Sequence, residues 1–193
     1  MKVLAFLGSP RKGGNSEVLL GAVLRGVERG GSKTEIVRLC DLSIDPCLNC
    51  GGCDDTGECI LDDDMTLLYD KIIAVPRIIL ASPIFFYGIT AQAKAFIDRT
   101  QALWNRKRLL KDKGLWQKSA ERRGFFVSVA ATKGAKVFEG AILTMKYGYD
   151  AMDIKYSGEF LVRGVEGMGK MARLTDTLRE AEEAGEKFIQ NRS

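Results

Sequence analysis

Two groups of residues in this chain have the types and spacing to do chemistry. The first is Gly8-Ser9-Pro10-Arg11-Lys12-Gly13-Gly14-Asn15-Ser16, set between an apolar run, Val3-Leu4-Ala5-Phe6-Leu7, and a stretch at 17–27 that reads as a helix. A strand, a loop rich in glycine and hydroxyls, and a helix N-terminus together make an anion site. Successive backbone N–H groups converge in the turn, and the helix end adds partial positive charge. Ser9, Asn15 and Ser16 can donate further hydrogen bonds, and Arg11 offers a fork of donors to phosphate oxygens. The second group is Cys47-Leu48-Asn49-Cys50-Gly51-Gly52-Cys53 followed by Cys59, the spacing C-x2-C-x2-C-x5-C. Four thiolates so close in sequence can wrap one centre, and Gly51, Gly52 and Gly57 permit the tight turns this needs.

The loop at 8–16 has the length of a nucleotide-triphosphate loop, but Gly14 stands where the lysine belongs. The dinucleotide pattern G-x-G-x-x-G fails as well, because Pro10 follows Gly8 at its second glycine. What remains is a terminal monophosphate held without a metal, as FMN is in doubly wound folds. The rival is a tight turn that binds nothing. In the cysteine group, three cysteines at successive x2 spacings begin a cubane-binding run, though the ferredoxin version closes with a shorter gap and a trailing proline. Here the last gap is longer and the proline, Pro46, comes first. This suits four ligands serving a single [4Fe–4S] cluster in one loop. An empty loop is the next reading, and zinc, which favours two pairs on a longer arm, the last. Cys40 stands outside the pattern and is expected to be a buried hydrophobe.

Composition narrows the chemistry. The chain has 193 residues, 46% hydrophobic and 28% charged, as expected of one globular domain over 1–193. Net charge is +4, from 29 basic and 25 acidic residues, too mild to argue for nucleic acid. There is no histidine, which excludes imidazole bases, Ser-His or Cys-His nucleophiles and His-containing metal sites. Chemistry must then come from cysteine, carboxylates, lysine, hydroxyls or a bound cofactor. No apolar run reaches membrane-spanning length and no signal-peptide pattern opens the chain, so the expected compartment is the cytoplasm, where thiols stay reduced.

The elements that must position these groups alternate. Residues 33–39 alternate polar and apolar and read as a second strand, and the cysteine-rich insert at about 40–64 has no periodicity. Asp62-Asp63-Asp64 is expected to cap the helix that follows, and the apolar run at 77–83 to be a central strand covered on both faces. A helix is expected at about 90–104, a basic irregular stretch at 105–123, a fourth strand at 124–131, a helix at 137–147 and a fifth strand at 154–162. An amphipathic helix at 168–189 closes the chain. Alternating strands and helices imply a flavodoxin-like α/β fold: a doubly wound, five-stranded parallel sheet of order 2-1-3-4-5 in a three-layer αβα arrangement. Ligands in such sheets bind outside the carboxyl ends of strands one and three. That rule gathers the 8–16 loop, Pro83-Ile84-Phe85-Phe86-Tyr87-Gly88 and Thr132-Lys133-Gly134 around one pocket. The aromatic segment suits an isoalloxazine wall, with ordinary strand-end packing as its rival.

With these residues in hand, the chain resembles the iron–sulfur flavoproteins of the NAD(P)H-dependent FMN reductase superfamily. The resemblance rests on Gly8-Ser9-Pro10-Arg11 with Asn15-Ser16, on the four cysteines with Cys59-Ile60-Leu61-Asp62-Asp63-Asp64-Met65, on Ser82-Pro83-Ile84, and on Lys94 to Arg99. It implies that Ser9, Arg11, Gly14, Asn15 and Ser16 hold the FMN phosphate, that residues 83–88 with Thr132 and Gly134 line the cofactor, and that Cys47, Cys50, Cys53 and Cys59 ligate a [4Fe–4S] cluster. It also implies an electron-transfer oxidoreductase, working as a homodimer or homotetramer with NAD(P)H or ferredoxin as redox partner. Two rivals stand beside it: an NAD(P)H-dependent FMN or quinone reductase with no cluster, and a binding module docking an acidic partner or nucleic acid through 105–123.

Overall fold

The computed structural model describes residues 1–117 and 121–190. Five parallel strands, β1 (Lys2–Leu7), β2 (Lys33–Arg38), β3 (Arg77–Pro83), β4 (Arg123–Ala130) and β5 (Lys155–Arg163), pair in the order β2-β1-β3-β4-β5. Six helices surround them: α1 (Asn15–Arg29), α2 (Thr66–Ala74), α3 (Ala91–Arg99), α4 (Gln101–Asp112), α5 (Glu139–Ala151) and α6 (Thr175–Gln190). The order and the three-layer arrangement are those of the flavodoxin-like fold. Among the described residues no helix is long and apolar enough to cross a membrane.

The period-two geometry of β1 divides the core. Leu4 and Phe6 pack into a cluster with Ile72, Phe96, Met145 and Tyr149, while Val3, Ala5 and Leu7 face Leu20, Val23, Ala181 and Phe188. α1 and α6 therefore cover one face of the sheet and α2, α3 and α5 the other. α1 and α6 approach backbone to backbone: a Cβ added at Gly26 would lie 1.8 Å from Glu182 O, and one at Gly185 would lie 2.0 Å from Val23 O. Between β3 and β4 the Tyr149 hydroxyl accepts from Leu80 N (3.1 Å) and donates to Phe125 O (2.7 Å), inside the room left by Gly124.

Four expectations need correction. The helix expected at about 90–104 is two helices, because Thr100 interrupts it and donates its hydroxyl back to Ile97 O. The basic stretch is helical as far as Asp112, so residues 105–112 belong to α4 and are not irregular; Lys118 lies outside the described residues. The closing helix begins at Thr175, and a single 3-10 turn, Met171–Arg173, precedes it. Asp62-Asp63-Asp64 does not cap α2, whose N-cap is Met65, with no side-chain cap bond. Instead Asp63 and Asp64 close the neck of the cysteine loop, accepting from the amides of Asp45 and Ser43.

Candidate functional site

At the carboxyl edge of β1 and β3 the chain encloses a cavity of about 290 Å³. Ser9, Pro10, Arg11, Gly14, Asn15 and Ser16 line one side, Pro83, Ile84 and Phe85 another, and Val129, Ala131 and residues 165–167 the rest. The volume lies near the lower end of the roughly 300–1,000 Å³ typical of small-molecule sites.

The 8–16 loop is held from below. Gly8 N donates to Ala81 O (2.8 Å), and Thr90, the N-cap of α3, donates its hydroxyl to Gly8 O (2.6 Å). A Cβ at Gly8 would lie 2.8 Å from Ala93 Cβ, so only glycine allows this approach. Ser82 and Ser128 add buried hydroxyls: Ser82 Oγ accepts from Thr90 N, and Ser128 Oγ donates to Ser82 O. α1 begins at Asn15 with Gly14 as its N-cap, so the first-turn amides and the positive helix end face the cavity. Ser9 Oγ accepts from Arg11 N (3.3 Å), which turns the loop back on itself and leaves the Arg11 side chain at the mouth. Beneath the loop, Glu17 accepts from Gly13 N (2.8 Å) and pairs with Arg38 (2.7 Å). Cys40 is half-buried and its thiol reaches Ser9 O (3.3 Å), so it is a polar support of the loop and not the buried hydrophobe expected.

The structure brings together Ser9, Arg11, Gly14, Asn15, Ser16, Pro83, Ile84 and Phe85, but not the whole expected set. Phe86 and Tyr87 stand outside, on a two-residue turn closed by reciprocal Phe85–Gly88 main-chain bonds of 3.0 Å. Their φ angles are 49° and 63°, a left-handed pair that fits a tight hairpin turn but is costly for bulky side chains. Phe86 is fully exposed, and Tyr87 leans on Gly134, where a Cβ would meet its hydroxyl at 2.8 Å. Thr132, Gly134 and Gly88 thus belong to the rim and do not line the cavity. Asn15 is mostly engaged: Nδ2 donates to Gly167 O (2.8 Å) and Oδ1 accepts from Met171 N (3.1 Å). Its amide pins the segment after β5 over the cavity, which makes residues 165–167 a wall that the sequence reading missed.

The cysteine loop forms a second site. Cys47, Cys50, Cys53 and Cys59 line a cavity of about 50 Å³ with Leu48, Asp54, Ile60, Leu61 and Gln101, and all four are free thiols. Left-handed turns at Asn49, Gly51 and Gly57 fold the loop, and a Cβ at Gly57 would lie 2.7 Å from Arg106 Cα on α4. Among the described residues no three Cys, His, Asp or Glu side chains are arranged to hold one metal ion. The arrangement is four soft donors spread around a cavity, and a cubane asks for that spread because each of its irons takes one thiolate. The neck of the loop is clamped by Arg99, whose side chain is fully buried and pairs with Asp63 at 2.5 Å. Arg99 also donates to Asp45 O and Leu61 O, joining both ends of the loop. Burial works to raise the Asp63 carboxyl, but hydrogen bonds from Arg99 and from the amides of Asp45 and Met65 outweigh it and hold it below its ordinary value. Burial, with Cys59 alongside, pushes the Tyr69 hydroxyl upward; that hydroxyl donates to Arg99 O.

Known proteins share both sequence and fold with this chain. It is 39% identical over 113 residues to an iron-sulfur flavoprotein of Methanosarcina thermophila, covering 58% of this chain and 59% of that one. An iron-sulfur flavoprotein of Archaeoglobus fulgidus is 42% identical over 99 residues, 51% of this chain and 45% of that one. The matches thus span about half the length of these relatives. Among solved structures, an NAD(P)H:quinone oxidoreductase from Methanothermobacter marburgensis superposes with TM-score 0.71 at 15% identity, over 100% of this chain and 99% of that one. An FMN-dependent NADH-azoreductase from Bacillus anthracis superposes with TM-score 0.67 at 13% identity, over 98% and 100%. At such identities these two show the fold alone. The model of the family described as NADPH-dependent FMN reductase matches residues 1–147, about three quarters of the chain, and the chain belongs to that family.

Proposed function

We propose that this protein is an iron–sulfur flavoprotein, passing electrons between a [4Fe–4S] cluster on Cys47, Cys50, Cys53 and Cys59 and FMN in the cavity beside β1 and β3. The observation that carries the reading is the meeting of a metal-free phosphate loop and the Pro83-Ile84-Phe85 wall in that one cavity. When bound, FMN supplies one- or two-electron transfer and the cluster one electron at a time. The chain's own residues bind and orient. The α1 N-terminus, Ser9, Ser16, the Arg11 side chain and the remaining N–H of Asn15 hold the phosphate, with Gly14 leaving room for backbone approach. Pro83, Ile84 and Phe85 exclude water from one face of the ring. Phe86, Tyr87, Gly88, Thr132 and Gly134 form the rim past which a redox partner must come.

That partner is NAD(P)H or a ferredoxin, and the protein works as a homodimer or homotetramer in the reducing cytoplasm. The family match and the sequence relatives, named for an iron–sulfur centre, support the pairing of cofactors. Anaerobic purification followed by an ultraviolet–visible spectrum and iron, sulfide, zinc and flavin analysis tests it. About four irons and four sulfides per FMN are expected. Flavin without iron or sulfide, even after anaerobic reconstitution, refutes the cluster and leaves an NAD(P)H-dependent FMN or quinone reductase. Rapid flavin bleaching by NAD(P)H would accompany that outcome. Absence of flavin refutes the phosphate-loop argument itself.

A further inference from the structure

α4 supplies what the cysteine loop lacks. Asn105, on this helix, is 1% exposed, and both amide N–H groups point into the loop. Nδ2 donates to Cys53 Sγ at 3.2 Å and to Asp54 Oδ1 at 2.9 Å. The orientation of the amide is set by its neighbour: Arg108 Nε, which can only donate, faces Asn105 Oδ1 at 3.4 Å. Arg108 Nη2 also donates to Asp54 O at 2.6 Å, tying the loop backbone to the same helix turn. Gly57, at φ 71°, lets the loop lie directly on Arg106, so the separation of Asn105 and Cys53 is held by backbone packing.

We infer that Asn105 is a positioning residue for the cysteine site, fixing the Cys53 sulfur by an N–H···S bond that raises the reduction potential of the cluster. The inference rests on the cluster reading above. One-electron uptake adds negative charge to the cluster and its thiolates, and a buried donor aimed at a ligating sulfur stabilises the more negative state. The oxidised state gains less from the same bond, so the bond favours reduction. Arg108 acts one step further out, by holding the amide the right way round.

The test is a mediated dithionite titration of the anaerobically reconstituted holoprotein, followed by electron paramagnetic resonance for the cluster and absorbance for FMN. Asn105→Leu keeps the side-chain size and removes both donors. The expected result is a cluster midpoint lower by about 59 mV, a tenfold change in the one-electron equilibrium, with four irons retained. The FMN midpoint should stay in place, because Asn105 does not line that cavity. A cluster midpoint equal to wild type, with iron intact, overturns the inference and leaves the cluster reading standing. A wild type without iron overturns both. Should Asn105→Leu lose its iron, Arg108→Lys decides: it keeps the charge and Asn105 but removes the Nε–H. A smaller downward shift is then expected, and an unmoved midpoint overturns the inference.

Discussion

Replacing Asp63 by alanine tests the clamp that closes the cysteine loop. Arg99 is fully buried and Asp63 nearly so, and they meet through two contacts, Nη1–Oδ2 at 2.5 Å and Nη2–Oδ1 at 3.1 Å. Asp63 also accepts from Asp45 N (2.9 Å) and Met65 N (3.0 Å). Asp63→Ala leaves a buried guanidinium without its counter-ion, a defect costing about 3–5 kcal/mol. For a domain of this size about 2–4 °C of melting temperature accompanies each kcal/mol, so a fall of about 6–20 °C is expected. The effect of pH separates this account from simple loss of packing. The folded Asp63 carboxyl lies below its ordinary value of 3.8, so its contribution is fully present above that pH. It is lost only as pH falls through the folded value. Urea midpoints of wild type and Asp63→Ala should therefore differ by a constant amount between pH 5 and 8 and converge below 3.8. Adding Arg99→Leu to the variant should recover part of the loss, because no unpaired charge then remains. An unchanged midpoint at pH 7, or a difference that closes between pH 7 and pH 5, would refute the clamp.

Three further outcomes are expected. Gly185→Ala places a Cβ 2.0 Å from Val23 O and must push α6 off α1; a loss of about 1–3 kcal/mol in thermal denaturation is expected, and a wild-type melt would contradict the backbone contact. Phe86→Gly relieves a left-handed aromatic at φ 49°. It should raise the melting temperature by about 2–4 °C, from about 1 kcal/mol of released strain, and a lower one would show that the turn is not strained. Arg11→Ala should weaken FMN binding about ten- to hundredfold, the worth of a hydrogen bond to a charged group. Flavin-fluorescence titration measures it, and equal affinity would remove Arg11 from the phosphate.

The parts of this fold that could be read from sequence are those where a local pattern has one physical solution. The apolar run of β3 fits only a strand covered on both faces, and a Gly-rich loop after β1 can face only the carboxyl edge of the sheet. The misread parts are those where a pattern runs across a break. Met171 and Leu174 continue the apolar period of α6 through a 3-10 turn that is not α-helical, with Gly167 and Gly169 at positive φ just before it. Residues 165–167 were therefore missed as a cavity wall. Asp63 obeys the local rule for a cap, yet its partner is Arg99, far along the chain. Local rules found chemically important residues here, but only the tertiary structure could show what each one faces.

The basic segment at 105–123 makes the same point through charge. The loop from Cys40 to Asp64 carries Asp41, Asp45, Asp54, Asp55, Glu58, Asp62, Asp63 and Asp64 and no Lys or Arg, and four thiolates around a cluster would add to that charge. Self-repulsion of this kind opposes a tightly folded loop. α4 lies against the loop with Arg108 on Asp54 O, Arg106 beside Gly57 and the Asn105 amide on Asp54 Oδ1. Among the other described cations, Lys107, Lys111, Arg122 and Arg123 are engaged within the chain. Lys107 pairs with Asp150 and Asp153, and Arg123 with Glu121. Lys111 lies over the Trp116 ring, and Arg122 donates to the carbonyls of Ile72, Val75 and Met152, at the ends of α2 and α5. The segment's bonds to the acidic cysteine loop run from Arg108 and Asn105 to Asp54, so within this fold it serves first to hold that loop.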